Sequence, residues 1–286
     1  MRLLDDMIGL AIKVYRRTPL YPRCGAALGR WLLKLQQLRS SDTRLRTRDL
    51  GRFSMKLDLS YVVDTQIYYS GAFEPATVET LRQFLRSGGV ALDVGANIGY
   101  ITLVLRDCVG PEGKVVSFEP LTQNYVRLRD NIALNRYENV TAVHAGLGDR
   151  AGRMSVSLHP ACRLDGRSLP PENVAIVTLD DYLAEYPIER LDLMKVDTDG
   201  AEEHVLRGAA KTLAAFRPVI VMELGIAVAA DEDYPSARII ALLESYGYRV
   251  FDETGLKPHA DLPDTLRKLA PGTAINIVAR PEPAAC

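Results

Sequence analysis

The stretch Val90-Ala91-Leu92-Asp93-Val94-Gly95-Ala96-Asn97-Ile98-Gly99-Tyr100-Ile101-Thr102 constrains this chain most. An apolar run, two glycines four apart and renewed apolar spacing at helical period read as buried strand, tight turn and helix start. Gly95 and Gly99 allow close backbone approach to a ligand. A helix starting near Ile98 would turn its free N–H groups toward that ligand. Twenty positions after Gly99, Glu119 closes a second apolar run, Lys114-Val115-Val116-Ser117-Phe118. An acid so placed can accept hydrogen bonds from both hydroxyls of a ribose.

The pattern therefore predicts an adenosine-containing cofactor. The loop reads G-x-x-x-G, with Asn97 where a dinucleotide site needs its middle glycine. Asp93 precedes the loop, where its charge repels a pyrophosphate and suits a cation. S-adenosylmethionine (SAM) carries an ammonium and a sulfonium and no phosphate, so it fits better than NAD. A turn of this kind that binds nothing would leave Glu119 without a role.

Other features bound the class. The 286 residues are 47% hydrophobic and 25% charged, the balance of a globular protein. Cys24, Cys108, Cys162 and Cys286 have no C-x-x-C spacing, so neither a disulfide framework nor a zinc site is expected. No apolar run reaches membrane-spanning length, and Asp5 and Asp6 interrupt the first apolar stretch. A cytoplasmic protein is expected. Charge is uneven: residues 1–52 hold 12 Lys and Arg against 4 Asp and Glu, the remainder 23 against 32.

Two amphipathic helices are expected in that basic segment, over 2–17 and from about Leu28 to Leu38. The second carries Trp31 and a basic face of Arg30, Lys34 and Arg39. Such a helix can touch a membrane peripherally, here through residues 1–40; the alternative is packing on the main domain. Residues 41–52 read as a linker. The expected division is an N-terminal helical extension, 1–52, and a main domain, 53–286. Tyr61 to Pro75 reads as an aromatic loop, either a lid or packing.

The main domain alternates strands and helices as a doubly wound sheet does, and ligands bind such sheets at the strands' carboxyl ends. The turn Ala145-Gly146-Leu147-Gly148-Asp149 would lie beside the adenine, with Leu147 on its face and Asp149 accepting from its amino group. Asp149 can instead simply fix the turn. Residues 159–173 form a long loop from which His159 and Arg163 can face substrate. Asp197 ends the strand Leu191-Asp192-Leu193-Met194-Lys195-Val196-Asp197, and a helix is expected from Thr198. Asp197 is thus either a ligand-facing acid or a helix cap.

The chain closely resembles the FkbM family of SAM-dependent methyltransferases over about residues 60–225. The matching stretches are Tyr69-Ser70-Gly71-Ala72-Phe73-Glu74-Pro75, Leu92 to Tyr100, Phe118-Glu119-Pro120, Gly146-Leu147-Gly148-Asp149 and Met194 to Glu202. Asp199 stands where the family usually has Glu. The resemblance implies an α/β class I methyltransferase fold, Rossmann-like, with a seven-stranded, mostly parallel sheet and one antiparallel strand. It implies methyl transfer to a hydroxyl of a sugar, glycolipid or secondary metabolite. Asp93, Gly95, Asn97 and Gly99 would line the methionine end of SAM, Glu119 would hold the ribose, and Pro120 would lie against the adenine. Asp197 would sit where donor and acceptor meet.

Asp197 is the expected catalytic base, ahead of His144, His159 and His204. No metal is expected, because no ligand spacing appears along the chain, and no nucleic-acid partner is expected. The competing classes are an NAD(P)-dependent oxidoreductase and a non-catalytic scaffold that binds membrane or a partner.

Overall fold

The computed structural model describes residues 45–225, 236–258 and 274–282. They fall into two units. The first, within the described residues, comprises 45–74 and 157–171; the second comprises the rest.

The first unit opens with an antiparallel hairpin, β1 (Leu45–Asp49) and β2 (Ser54–Asp58). β2 alternates as its apolar pattern requires, with Met55 and Leu57 fully buried. The expected boundary at residue 52 falls inside this hairpin. The Arg-rich segment read as a linker contains a strand because a hairpin edge needs backbone pairing more than apolar side chains. Tyr61 to Pro75 is also not a loop, since α1 occupies Val62–Ser70 and ends on Gly71 at φ +75°. Its β-branched and aromatic residues are weak helix formers, so packing rather than propensity makes this helix. Within the same unit, a short 3-10 turn spans Pro160–Cys162. Arg163 is held there by Asp165 at 2.7 Å and by the Tyr61 hydroxyl at 3.1 Å.

The second unit is a seven-stranded sheet flanked by helices. In chain order its strands are β3 (Val90–Val94), β4 (Lys114–Phe118), β5 (Val140–Val143), β9 (Leu193–Val196), β10 (Val219–Gly225), β11 (Tyr248–Phe251) and β12 (Ala274–Pro281). The spatial order is β11-β12-β10-β9-β3-β4-β5. β3, β4, β5, β9 and β10 run parallel, and β12 runs antiparallel to both β10 and β11. This is the class I methyltransferase architecture that the resemblance implied. A smaller sheet, β6 (Gly146–Leu147), β8 (Glu172–Val177) and β7 (Gly152–Val156), lies between β5 and β9 in the chain.

The helices are α2 (Pro75–Phe84), α3 (Tyr100–Val109), α4 (Thr122–Leu134), α5 (Leu179–Glu185), α6 (Glu202–Arg207), α7 (Ala210–Phe216) and α8 (Ser236–Ser245). Proline at the first position of α2 suits a residue without an N–H. The helix expected to run on from Thr198 is two helices, divided at Gly208 and Ala209. A side chain on Gly208 would meet the Gly148 carbonyl oxygen at 1.9 Å, so the break brings these turns together.

The two faces of the sheet differ in chemistry. Leu92, Val94, Val116, Phe118, Met194, Val196, Ile220 and Met222 alternate onto one face and join a single apolar cluster. Asp93, Ser117, Lys195 and Glu223 alternate onto the other. Asp93, Ser117 and Lys195 are all buried. A buried charge is costly unless paired, so this polar row points to the site.

The N-terminal helices, including the membrane-facing reading of residues 1–40, lie outside the described residues. Among the described residues, no helix is long and apolar enough to cross a membrane, and Cys108 and Cys162 are free thiols.

Candidate active site

Both loop glycines are required by the protein itself. Gly95 has φ +84°, and a Cβ there would lie 1.8 Å from the Asp197 carbonyl oxygen. Gly99 has φ +92°, and its Cβ would meet the Leu128 side chain at 2.7 Å. In the fold these glycines admit the end of β9 and helix α4. The Gly95 and Ala96 N–H groups both donate to the Phe118 carbonyl at 3.0 Å, tying the turn to β4. Asn97, in the left-handed region at φ +50°, completes the turn. Gly95→Ala is expected to cost about 2–5 kcal/mol through strain and overpacking. Thermal unfolding checks this, with an expected fall in Tm of about 5–15 °C.

Glu119 is 4% exposed. Its Oε2 accepts from the Asn97 N–H at 2.8 Å and its Oε1 from the Leu121 N–H at 2.9 Å. A carboxylate offers about four acceptor positions; Asn97, Leu121 and the Asn124 side chain take three, so one remains for a hydroxyl donor such as that of a ribose. Burial raises its pKa to about 7, against the lowering effect of those backbone bonds and of Asn124. Pro120 follows it and lies beside Gly146.

This gives Glu119 a pH signature. Its folded value lies above the unfolded 4.5, so the folded state holds the extra proton between them. The stability contribution of that proton is present below 4.5 and is lost as pH rises to about 7. A ligand that donates to this carboxylate prefers the ionised form. SAM affinity, measured calorimetrically, is therefore expected to rise up to about tenfold per pH unit below 7 and level off above it. Glu119→Gln should flatten that dependence.

Asp93 is fully buried. Its Oδ2 accepts from Thr102 Oγ1 at 2.6 Å, and Thr102 Oγ1 lies 3.0 Å from Ser117 Oγ. Its charge thus acts on a ligand through the field, while its carboxylate braces α3 against β3. Leu147, expected on the adenine face, is 4% exposed and belongs to the core cluster with Phe118 and Val205. Its pairing with Val177 in the small sheet turns it inward. Asp149 is bound to His204 Nδ1 at 3.1 Å, and that hydrogen bond holds its pKa below the usual value. This clips the turn to α6.

Asp197 directly follows β9. The N-cap reading is corrected, because α6 begins at Glu202 behind Ala201. Residues 198–201 form a loop in which Asp199 (φ +53°) and Gly200 (φ +115°) turn the chain. Glu202 organises it: Oε1 accepts from Thr198 N, Thr198 Oγ1 and Gly200 N at 2.9–3.1 Å. Asp197 Oδ2 lies 2.5 Å from Lys195 Nζ. Burial pushes the Asp197 pKa up, but the Lys195 charge and a hydrogen bond from Glu223 outweigh it, so the net direction is down.

Carboxylate oxygens of Asp197, Asp199 and Glu223 lie within 4.8 Å of one another. Chain spacing could not show this grouping, which joins two strands and a loop, and the expectation of no metal rested on spacing alone. Lys195 already places a cation in the group.

Of the other candidate bases, His144 stacks on Tyr125 with ring centroids 4.4 Å apart and lies 3.2 Å from Thr122 Oγ1. His204 is taken by Asp149, and His159 lies in the first unit. Sequence reasoning assigned no role to Lys195, Glu202 or Glu223. The available signal was a charged residue inside each of two otherwise apolar strand runs, Met194-Lys195-Val196 and Met222-Glu223-Leu224.

Carboxylates thus crowd the carboxyl ends of four adjacent parallel strands: Asp93, Glu119, Asp197 with Asp199, and Glu223, with the ammonium of Lys195 beside Asp197. This donor set suits a cationic ligand with ribose hydroxyls and repels a pyrophosphate.

The family model for the methyltransferase FkbM domain matches residues 93–250. Methyltransferase sdnD of Sordaria araneosa is 31% identical over 160 residues, covering 43% of this chain and 61% of that protein. The 2-O-methyltransferase NoeI of Sinorhizobium fredii is 27% identical over 183 residues, 55% of this chain and 72% of that one. The 31-O-demethyl-FK506 methyltransferase FkbM of Streptomyces tacrolimicus is 26% identical over 204 residues, 59% and 76% of the two chains.

Proposed function

Because the chain belongs to the methyltransferase FkbM domain family, we propose that it transfers a methyl group from SAM to a hydroxyl oxygen. The acceptor class is a sugar, glycolipid or secondary metabolite. The relatives named as a 2-O-methyltransferase and as a 31-O-demethyl-FK506 methyltransferase support oxygen as the atom methylated. The observation that carries the reading is Glu119, a buried acid with an acceptor position left, set among acids that favour a cation.

When bound, SAM supplies an activated methyl on a good leaving group. The chain's own residues hold and orient. Glu119 takes a ribose hydroxyl, the Gly95–Gly99 turn borders the methionine end, and Asp93 and Asp197 supply negative potential. Asp197 receives the proton that the acceptor oxygen loses. A lowered pKa makes Asp197 a weak base, and this chemistry needs no stronger one. The attacking hydroxyl gains positive character as the new bond forms, and its proton becomes strongly acidic by then. Alignment and exclusion of water supply the rest.

Calorimetric titration with SAM and with NAD tests the cofactor; binding of NAD alone would sink the proposal. Transfer of labelled methyl from SAM to a panel of sugars, glycolipids and polyketide alcohols tests the acceptor class. Membrane contact through residues 1–40 and a cytoplasmic location stay proposals, testable by co-sedimentation with anionic vesicles and by fractionation.

A further inference from the structure

Lys195 occupies a position where an aliphatic residue would be expected. Its neighbours Leu193, Met194 and Val196 are fully buried, and its own side chain is 3% exposed. An ammonium buried in a central strand is retained only with close partners. The register shows what surrounds it. Asp93 on β3 and Val221 on β10 are its lateral neighbours. Just past the last paired positions, Val196 and Met222, come Asp197 and Glu223, whose carboxylate oxygens lie within 4.8 Å of one another, and Glu223 pairs across to Asn276 on β12. Asn276 in turn donates to Thr77 of α2 at 3.1 Å. Among the described residues, the charged groups about Asp197 are therefore Lys195 on the strand that precedes it, Glu223 on β10, Asp199 in the following loop and Asp93 on β3. Glu79 and Arg82 of α2 are exposed.

Two carboxyl groups within hydrogen-bonding reach cannot both stay ionised without a cation or a shared proton. Lys195 supplies the cation here. Lys195 bonds Asp197 directly at 2.5 Å, and Glu223 hydrogen-bonds Asp197 from the neighbouring strand.

We propose that Lys195 is a positioning residue, fixing the Asp197 carboxylate in place as an anion while Glu223 carries the proton of the pair. The role in catalysis rests on the methyl-transfer reading above; the arrangement of charge does not. In that reaction the acceptor oxygen forms its bond to the methyl carbon and the carbon–sulfur bond breaks with its electron pair going to sulfur. The hydroxyl proton passes to the Asp197 carboxylate and is then lost to solvent. Lys195 stays an ammonium throughout.

The test needs neither cofactor nor acceptor. Side-chain carboxyl carbons of the full chain, labelled at Asp and Glu, are titrated by NMR. The Asp197 signal is identified by its loss in Asp197→Asn. In wild type it should titrate below ordinary aspartates. Lys195→Met keeps length and apolar packing and removes the charge. It should move the Asp197 midpoint up by at least about one unit, a tenfold change in proton affinity, and Lys195→Arg should restore most of it. An unmoved midpoint in folded Lys195→Met overturns the proposal. Should Lys195→Met fail to fold, Glu223→Gln decides: it should turn the coupled Asp197 titration into a single-site curve, and an unchanged curve overturns the proposal. SAM titration of the wild type runs beside these. Absence of SAM binding with the expected NMR shifts would remove the methyl-transfer reading and leave the charge arrangement standing.

Discussion

Asp197→Asn is expected to lower kcat by about 10²–10⁴, the usual cost of losing a positioned base, with SAM affinity changed only a few-fold. Asparagine keeps the size and the neutral hydrogen-bonding capacity of the side chain, but it cannot take a proton and it leaves Lys195 facing a neutral amide. Lys195 is buried and Asp197 half-buried, so some loss of stability is expected as well. Steady-state rates at saturating SAM, with the acceptor identified from the hydroxyl panel, make the measurement, and thermal unfolding separates folding from chemistry. Near-full kcat in a folded variant would remove Asp197 from the catalytic role. A large loss of SAM affinity would move it to the cofactor site instead.

Glu119→Ala is expected to weaken SAM binding by roughly 10- to 150-fold. The change removes a charge-assisted hydrogen bond to a ribose hydroxyl, worth about 1.5–3 kcal/mol. It also frees the Asn97 and Leu121 N–H groups that Glu119 now satisfies, loosening the turn on one side and the entry to α4 on the other. Comparison with Glu119→Gln separates these effects. Glutamine keeps an acceptor oxygen for one backbone donor but presents an NH₂ where the other donor points. A folded Glu119→Ala protein with unchanged SAM affinity would show that this acid serves only the two loops.

Periodicity and local chemistry along the chain determined much of this protein. Apolar runs ending in an acid or a glycine located β3, β4, β9 and β10, because a strand buried on both faces is mostly apolar, with few charged interruptions. The spacing from Gly99 to Glu119 reflects one helix and one strand between two adjacent strand ends, so Glu119 was legible as a site residue. Segments whose conformation is set by contacts were not legible. Leu45–Asp49 became a strand through pairing with Ser54–Asp58. Val62–Ser70 became a helix despite weak propensity. Leu147 turned inward because β6 pairs with β8.

Tertiary structure alone decided the electrostatics of the site. Gly95 had to be glycine because the Asp197 carbonyl crosses it, a contact between residues about a hundred positions apart. The helix placed at Thr198 begins only at Glu202, so the residue that steadies the Asp197 charge is Lys195 rather than a helix end. Glu223 joins Asp197 solely through strand register. Local sequence determines which segments can be strands, since that follows from side chains and backbone preferences within a few residues. Which charges become neighbours follows from strand order and register, and these are set by packing of the whole sheet.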